Sequence, residues 1–157
     1  MVQKALAMAQ PGDVIVIDGF GVVSRSVWGG NRSLVAASRG LAGVIIDGAT
    51  RDIDVTKGTG LPLFARAVCP LGSRSNGPGE INYPIACGGV VVNPGDIVIA
   101  DAEGIVVVPR EDAADVYQSW LKVVEHEQRT LALSAKGENA GEADVDRRLR
   151  ELGTELQ

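Results

Sequence analysis

Two segments of the chain, QPGDVIVID at 10–18 and NPGDIVIAD at 93–101, repeat one pattern: a Pro-Gly turn, an aspartate, an apolar run and a closing aspartate. Pro-Gly matches the two central positions of a type II turn, because proline presets the first φ and glycine accepts the positive φ of the second. A Val/Ile run without polar alternation suits a strand covered on both faces. Asp18 and Asp101 then fall at strand ends, where turn chemistry alone accounts for them. One echo does not make a repeat array.

Further strands are expected at 43–47, 61–68, 88–92 and 105–109, the last forming a hairpin with 97–101 across AEG. Helices are expected over 2–9, 31–39 and 110–134. In the last of these Ala113, Tyr117, Trp120, Leu121, Val124 and Leu131 make an apolar stripe at helical spacing. Residues 134–144 read as a polar linker to a short charged helix, 144–152. With 157 residues, 45% of them hydrophobic, the chain suits one domain with a real core. Twenty glycines and 4% aromatics point to tight turns around Val, Ile, Leu and Ala. The expectation is an α/β or α+β fold.

Net charge is −5, and the Lys and Arg residues are scattered with few aromatics between them, so the footprint of nucleic-acid binding is missing. The first ten residues are too short and too weakly apolar for a signal peptide. No apolar run reaches membrane-spanning length, and a soluble, cytoplasmic protein without a membrane partner is expected. Cys69 and Cys87, with no Cys-x-x-Cys arrangement, read as buried reduced thiols.

The sharpest feature is VIIDGATRDIDVTKG, residues 44–58. An adjacent Arg51-Asp52 pair follows a buried strand through a glycine-containing turn, where an α/β sheet places its ligand crevice. Sequence neighbours point in different directions, so the pair is poorly placed to neutralise itself. Arg51 can grip a carboxylate through two hydrogen bonds, and Asp52 can ligate a hard divalent cation. The alternative is an aspartate at a helix N-terminus with a solvated arginine beside it.

WGGN, residues 28–31, leaves backbone N–H groups unshielded at Gly29 and Gly30, and Asn31 can cap the following helix, so a carboxylate could sit there. The glycines could equally serve only to turn the chain. DGFGVVS at 18–24 lacks the third glycine of a dinucleotide fingerprint, where Ser24 stands, and is set aside. The only histidine, His126, has no second candidate ligand and is assigned no role. Glu127 lies on or beside the apolar stripe, where an acid wants a partner or marks its wet edge.

Taken together, PGDVIVID, WGG, GLAGVIIDGATRD, LPLFARAVCP, CGGVVVNPGDIVIADAEGIVVVP and the following helix resemble, in order, the RraA-like family. That family includes the class II 4-hydroxy-4-methyl-2-oxoglutarate/4-carboxy-4-hydroxy-2-oxoadipate aldolases and the regulator of ribonuclease activity A. The resemblance implies a swivelling-type ββα domain over 1–135, central β-sheets flanked by helices, with 136–157 as a polar linker and short C-terminal helix. It also implies a homotrimer or hexamer with sites between subunits, and a further N-terminal helix and strand that this chain lacks by comparison.

For the site, the resemblance makes Asp52 the Mg²⁺ or Mn²⁺ ligand and Arg51 the group that holds a 2-oxo acid and stabilises its enolate. The amides of Gly29, Gly30 and Asn31 then bind the substrate carboxylate, and Glu127 is an acid supplied by a neighbouring subunit. Active lineages carry an acid at the position of Gly30. No acidic residue stands between Asp18 and Asp47 to replace it, and Gly30→Glu is expected to tighten metal binding. The implied activity is cleavage of a 4-hydroxy-2-oxo acid to pyruvate, with oxaloacetate decarboxylation as a side activity. The alternative is a non-catalytic regulator that binds a protein. Lys4, Lys57, Lys122 and Lys136 sit in polar or helical-surface contexts, which argues against a Schiff-base route.

Overall fold

The Pro-Gly turns form as the sequence requires. Gly12 has φ 88° and Gly95 φ 92°, and each turn closes on an aspartate N–H, Asp13 to Gln10 O and Asp96 to Asn93 O, both at 3.1 Å. The aspartate carboxylates accept the N–H of Gln10 (2.8 Å) and of Asn93 (2.7 Å). The computed structural model describes residues 1–74, 77–138 and 141–154, in two units, Met1–Arg110 and Glu111–Gln157.

In the first unit α1 (Val2–Met8) is followed by β1 (Val14–Trp28), α2 (Gly30–Ser38), β2 (Gly43–Thr50), α3 (Ile53–Thr59) and β3 (Leu63–Val68). The strands form a parallel sheet in the order β1–β2–β3, so α2 and α3 are the crossovers that parallel pairing demands. The central strand β2 is buried at every residue, which is why its Val/Ile run lacks polar alternation. Trp28, Ala36, Val44, Ile46 and Leu61 belong to the core around it. The expected mixed α/β fold is present.

Several elements differ from expectation. The helix α3 lies outside the expected helices and matches the alternative reading, in which Asp52 sits at a helix N-terminus. β1 does not stop at Asp18: residues 19–21 loop out, and the register moves from Asp18 opposite Asp47 to Val22 opposite Gly48. Phe20 and Gly21 take φ 55° and 66°, and Asp18 Oδ1 accepts the Phe20 N–H at 2.8 Å. The DGF turn is therefore a bulge inside a strand. A Cβ at Gly19 would lie 2.6 Å from Asp47 O, so the bulge needs glycine there.

The remaining strands are two antiparallel hairpins, β4 (Ile85–Cys87) with β5 (Val90–Val92), and β6 (Ile97–Ala100) with β7 (Ile105–Val108). The second hairpin matches expectation. In the first, β4 was not expected and the strand expected at 88–92 is shortened to β5, because Gly88 and Gly89 take φ 61° and 85°, the two positive values of a type I′ turn. Ile97 and Ile99 stand exposed, so β6 is not covered on both faces. Cys69 and Cys87 are free but half-buried rather than buried. Burial, then the carboxylates of Asp47 and Asp18, pushes the Cys87 thiol above its ordinary value.

The second unit contains α4 (Ala113–Ser134) and α5 (Glu142–Glu151). No residue of α4 is buried, and Tyr117 stacks on Trp120 with centroids 5.7 Å apart. Among the described residues, no helix is long and apolar enough to cross a membrane.

One buried carboxylate pairs two strands of the parallel sheet and ties them to the first hairpin. The Asp47 side chain, only 9% exposed, pairs with Arg66 on β3 and accepts the Gly88 N–H at 2.7 Å. The Arg66 hydrogen bond, then the one from Gly88, holds the Asp47 carboxyl below its ordinary value despite burial. Such a carboxyl stabilises the fold above its unfolded-state value of about 3.9, and that contribution is lost as pH falls towards the lowered native value. Urea-unfolding midpoints followed from about pH 7 to about pH 2 should drop more steeply below about pH 4 in the native chain than in Asp47→Asn. Equal acid slopes would show that the pair contributes nothing.

Candidate active site

β1 and β2 end side by side. Trp28 is paired with Thr50, and Arg51 N–H donates to Trp28 O at 3.2 Å. The residues that follow, Gly29–Gly30 on one strand and Arg51–Asp52 on the other, are therefore brought together at the carboxyl ends of adjacent parallel strands. This is where open α/β sheets bind ligands.

Beneath them runs a buried polar chain that the sequence did not reveal. Trp28 Nε1–H donates to Ser33 Oγ at 2.9 Å, and Ser33 Oγ meets Thr56 Oγ1 at 2.9 Å. It fastens β1 to α2 and α2 to α3, and all three residues are buried. Short hydroxyl side chains inside helices are ordinarily surface choices, so only their positions on facing helices give the chain away.

Asp52 takes φ 57° and ψ 47°, a left-handed conformation that costs about 1–2 kcal/mol for most side chains. Its carboxylate does not cap its own helix α3. Instead Oδ2 accepts the Gly30 N–H at 3.0 Å, at the positive end of α2. The same turn brings Arg51 Nε to 3.5 Å from Asp52 Oδ2. The expectation that these neighbours point apart is thus corrected, because left-handed backbone at Asp52 swings the two side chains together. Both remain roughly half exposed, so their attraction is screened.

The approach depends on missing side chains. A Cβ at Gly29 would lie 2.7 Å from Asp52 Oδ2 and 3.0 Å from Arg51 Cγ. One at Gly30 would lie 2.9 Å from both Cβ and Cγ1 of Val55. The helix cap is Gly29, with no side-chain cap, and Asn31 lies inside the first turn rather than capping it. Arg32 and Ser33 N–H bond to Gly29 O, and Gly30 N–H is given to Asp52. Among the described residues the Asn31 N–H of this turn is left without a partner.

These residues open onto a cleft of about 450 Å³, lined by Gly29, Asn31, Arg51 and Asp52 together with Arg32 and Arg39. Glu127 lies exposed on α4 of the second unit, as does His126. No group of three or more His, Cys, Asp or Glu side chains placed to hold a metal ion is present among the described residues. The fit for a metal therefore rests on Asp52 alone. A hard cation such as Mg²⁺ is commonly held by one or two carboxylates, with water and substrate oxygens completing its shell, and a half-exposed Asp52 in an open cleft fits that pattern.

Residues 1–107 match the RraA-like family (Aldolase/RraA). The chain is 41% identical over 134 residues to a Halalkalibacterium halodurans protein whose name gives it provisionally as a 4-hydroxy-4-methyl-2-oxoglutarate aldolase, covering 85% of this chain and 64% of that one. It is 35% identical to a Thermus thermophilus 4-hydroxy-4-methyl-2-oxoglutarate aldolase, covering 69% and 66%. Its fold matches Streptomyces coelicolor RraAS2, described as an unusual member of the RNase ES inhibitor RraA family, with a TM-score of 0.77, 30% identity and coverage of 82% and 66%. The chain belongs to the RraA-like family, and it spans just under two thirds of the length of these relatives.

The contacts at Gly30 set a steric condition on the acid expected to assist a metal there. Any side chain must first displace Val55. Gly30→Ala and Gly30→Glu should each destabilise the chain by about 1–3 kcal/mol, as overpacking does, measured by urea unfolding. A neutral Gly30→Ala would show that α2 and α3 separate readily here.

Proposed function

We infer that this chain carries a class II aldolase site that cleaves a 4-hydroxy-2-oxo acid, such as 4-hydroxy-4-methyl-2-oxoglutarate, to pyruvate. The observation that carries this reading is the convergence of Asp52, Arg51 and the unpartnered Asn31 N–H on one cleft at the ends of two parallel strands. The aldolase names of two relatives support it.

Asp52 would hold the cation, Mg²⁺ or Mn²⁺, whose chemistry when bound is Lewis-acid polarisation of the 2-oxo group. Arg51 grips the C1 carboxylate, and the Asn31 amide at the start of α2 adds a second donor to it. Gly29 contributes by leaving room for both. With C1 fixed, water in the open cleft takes the proton of the C4 hydroxyl, the C3–C4 bond breaks, and the C4 fragment departs as a carbonyl compound. The electron pair passes to the pyruvate enolate, whose growing negative charge lies beside the Arg51 guanidinium, and C3 then takes a proton. Oxaloacetate loses CO₂ through the same enolate. Glu127 is proposed as an acid presented by a neighbouring copy in a trimer or hexamer.

Asp52→Ala should abolish EDTA-sensitive pyruvate release from 4-hydroxy-4-methyl-2-oxoglutarate and from oxaloacetate, with the fold intact by circular dichroism. Arg51→Lys keeps the charge but loses the planar fork, and should cost about tenfold or more at saturating metal. Undiminished turnover in either variant would remove that residue from the site. Asp52→Ala and Glu127→Ala proteins mixed under subunit exchange should regain activity. No recovery, with mixed oligomers proven by mass spectrometry, would leave Glu127 a solvated helix residue.

Gly30, where active lineages carry an acid, favours a second reading as a non-catalytic regulator that binds a protein partner. Absence of metal-dependent pyruvate release from both substrates would select it.

A further inference from the structure

The cleft carries more positive charge than one carboxylate requires. Its lining holds three guanidinium groups, Arg32, Arg39 and Arg51, against one carboxylate, Asp52, in a chain whose net charge is −5. Arg51 lies beside Asp52. Arg39 is committed to the scaffold, its Nη2 donating to Ala7 O at 3.2 Å and Ala9 O at 2.9 Å, which ties α2 to the end of α1.

Arg32 is different. Its hydrogen bonding among the described residues is a single contact, Nη1 to Val27 O at 3.2 Å, and its Nε is buried without a partner. Only one other buried side-chain polar atom among the described residues is unpartnered, Thr50 Oγ1, and Thr50 does not line the cleft. The enclosed Nε is out of a ligand's reach and costs stability, whereas Nη2 makes no hydrogen bond among the described residues and is not enclosed, which leaves that edge of the guanidinium open to an acceptor in the cleft. An anionic oxygen arriving through the cleft is the acceptor that suits a guanidinium best.

We propose that Arg32 is the specificity-determining residue of this cleft, gripping the second carboxylate of a dianionic 2-oxo acid whose first carboxylate is held by Arg51 and the Asn31 N–H. This rests on the aldolase reading for the chemistry but not for the binding. Asn31, Arg32 and Val35 of α2 and its C-cap Arg39 line the cleft together. Val35, half exposed, offers apolar surface to the carbon chain between the two carboxylates. The surplus cation also draws a doubly charged acid towards the cleft of an otherwise acidic protein.

Calorimetric titration of the whole chain with 2-oxoglutarate and with 2-oxopentanoate, which lacks the second carboxylate at the same chain length, separates the outcomes. The titrations are run with and without Mg²⁺. The native chain should bind the dianion at least about tenfold tighter, as a charge-assisted pair of hydrogen bonds allows. Arg32→Leu should abolish that preference while leaving 2-oxopentanoate unchanged. Arg32→Lys, which keeps the charge and guards against a folding defect in the leucine variant, should show an intermediate preference.

Equal weakening of both ligands, an unaltered preference in Arg32→Leu, or no binding of either acid by the native chain would each overturn the proposal. If the preference exists and vanishes with Arg32 but no pyruvate is ever released, the anion subsite stands and the aldolase reading falls. If turnover is seen, KM for the dianionic substrate should rise in Arg32→Leu with kcat retained.

Discussion

The carboxylate of Asp52 reaches the first turn of α2 because two consecutive residues of that turn have no side chain. Its hydrogen bond from Gly30 fixes the distance between α2 and the start of α3, and the left-handed backbone at Asp52 turns Arg51 onto the same cleft. Nothing covalent enforces this arrangement. It is held by helix N-terminal charge on one side, by glycine-sized gaps on the other, and by the Trp28–Ser33–Thr56 chain underneath. Those buried hydroxyls satisfy one another and the indole, so the strain at Asp52 sits on a scaffold with few ways to relax it.

Charge is distributed in the same economical way. An acidic chain places three arginines on one cleft, of which one serves the scaffold, one lies beside the metal-binding candidate and one has a buried donor unmet. A second ion pair, Asp47 with Arg66, lies elsewhere in the same unit. It belongs to the apolar cleft of about 640 Å³ lined by β2, β3 and the two hairpins, where it locks the β4–β5 turn to the sheet. It has a structural task, and burial with the nearby carboxylates raises the pKa of the half-buried Cys87 thiol beside it.

Much of the fold was legible because it follows from local rules. Pro-Gly set the two turns, unbroken Val/Ile marked the buried strand β2, and the AEG spacer marked the β6–β7 hairpin. The Arg51-Asp52 pair was visible as a candidate site because strand and turn preceded it. What escaped depends on contacts between distant segments. The Asp47–Arg66 bridge joins neighbouring strands, and the helix α3 is short and carries a glycine and two threonines. Gly88-Gly89 sits inside an apolar run that reads as continuous. Arg32 looked like one scattered charge until the fold placed it on the cleft with its Nε enclosed.

The central claim is that Asp52 and Arg51 organise one metal and one carboxylate in this cleft. Anomalous diffraction from a crystal of the whole chain soaked in Mn²⁺ and oxalate tests it most directly. The account predicts a manganese peak within direct or one-water reach of Asp52, with an oxalate carboxylate against Arg51 and the Asn31 N–H. A peak at another carboxylate, or oxalate bound away from Arg51, would contradict it.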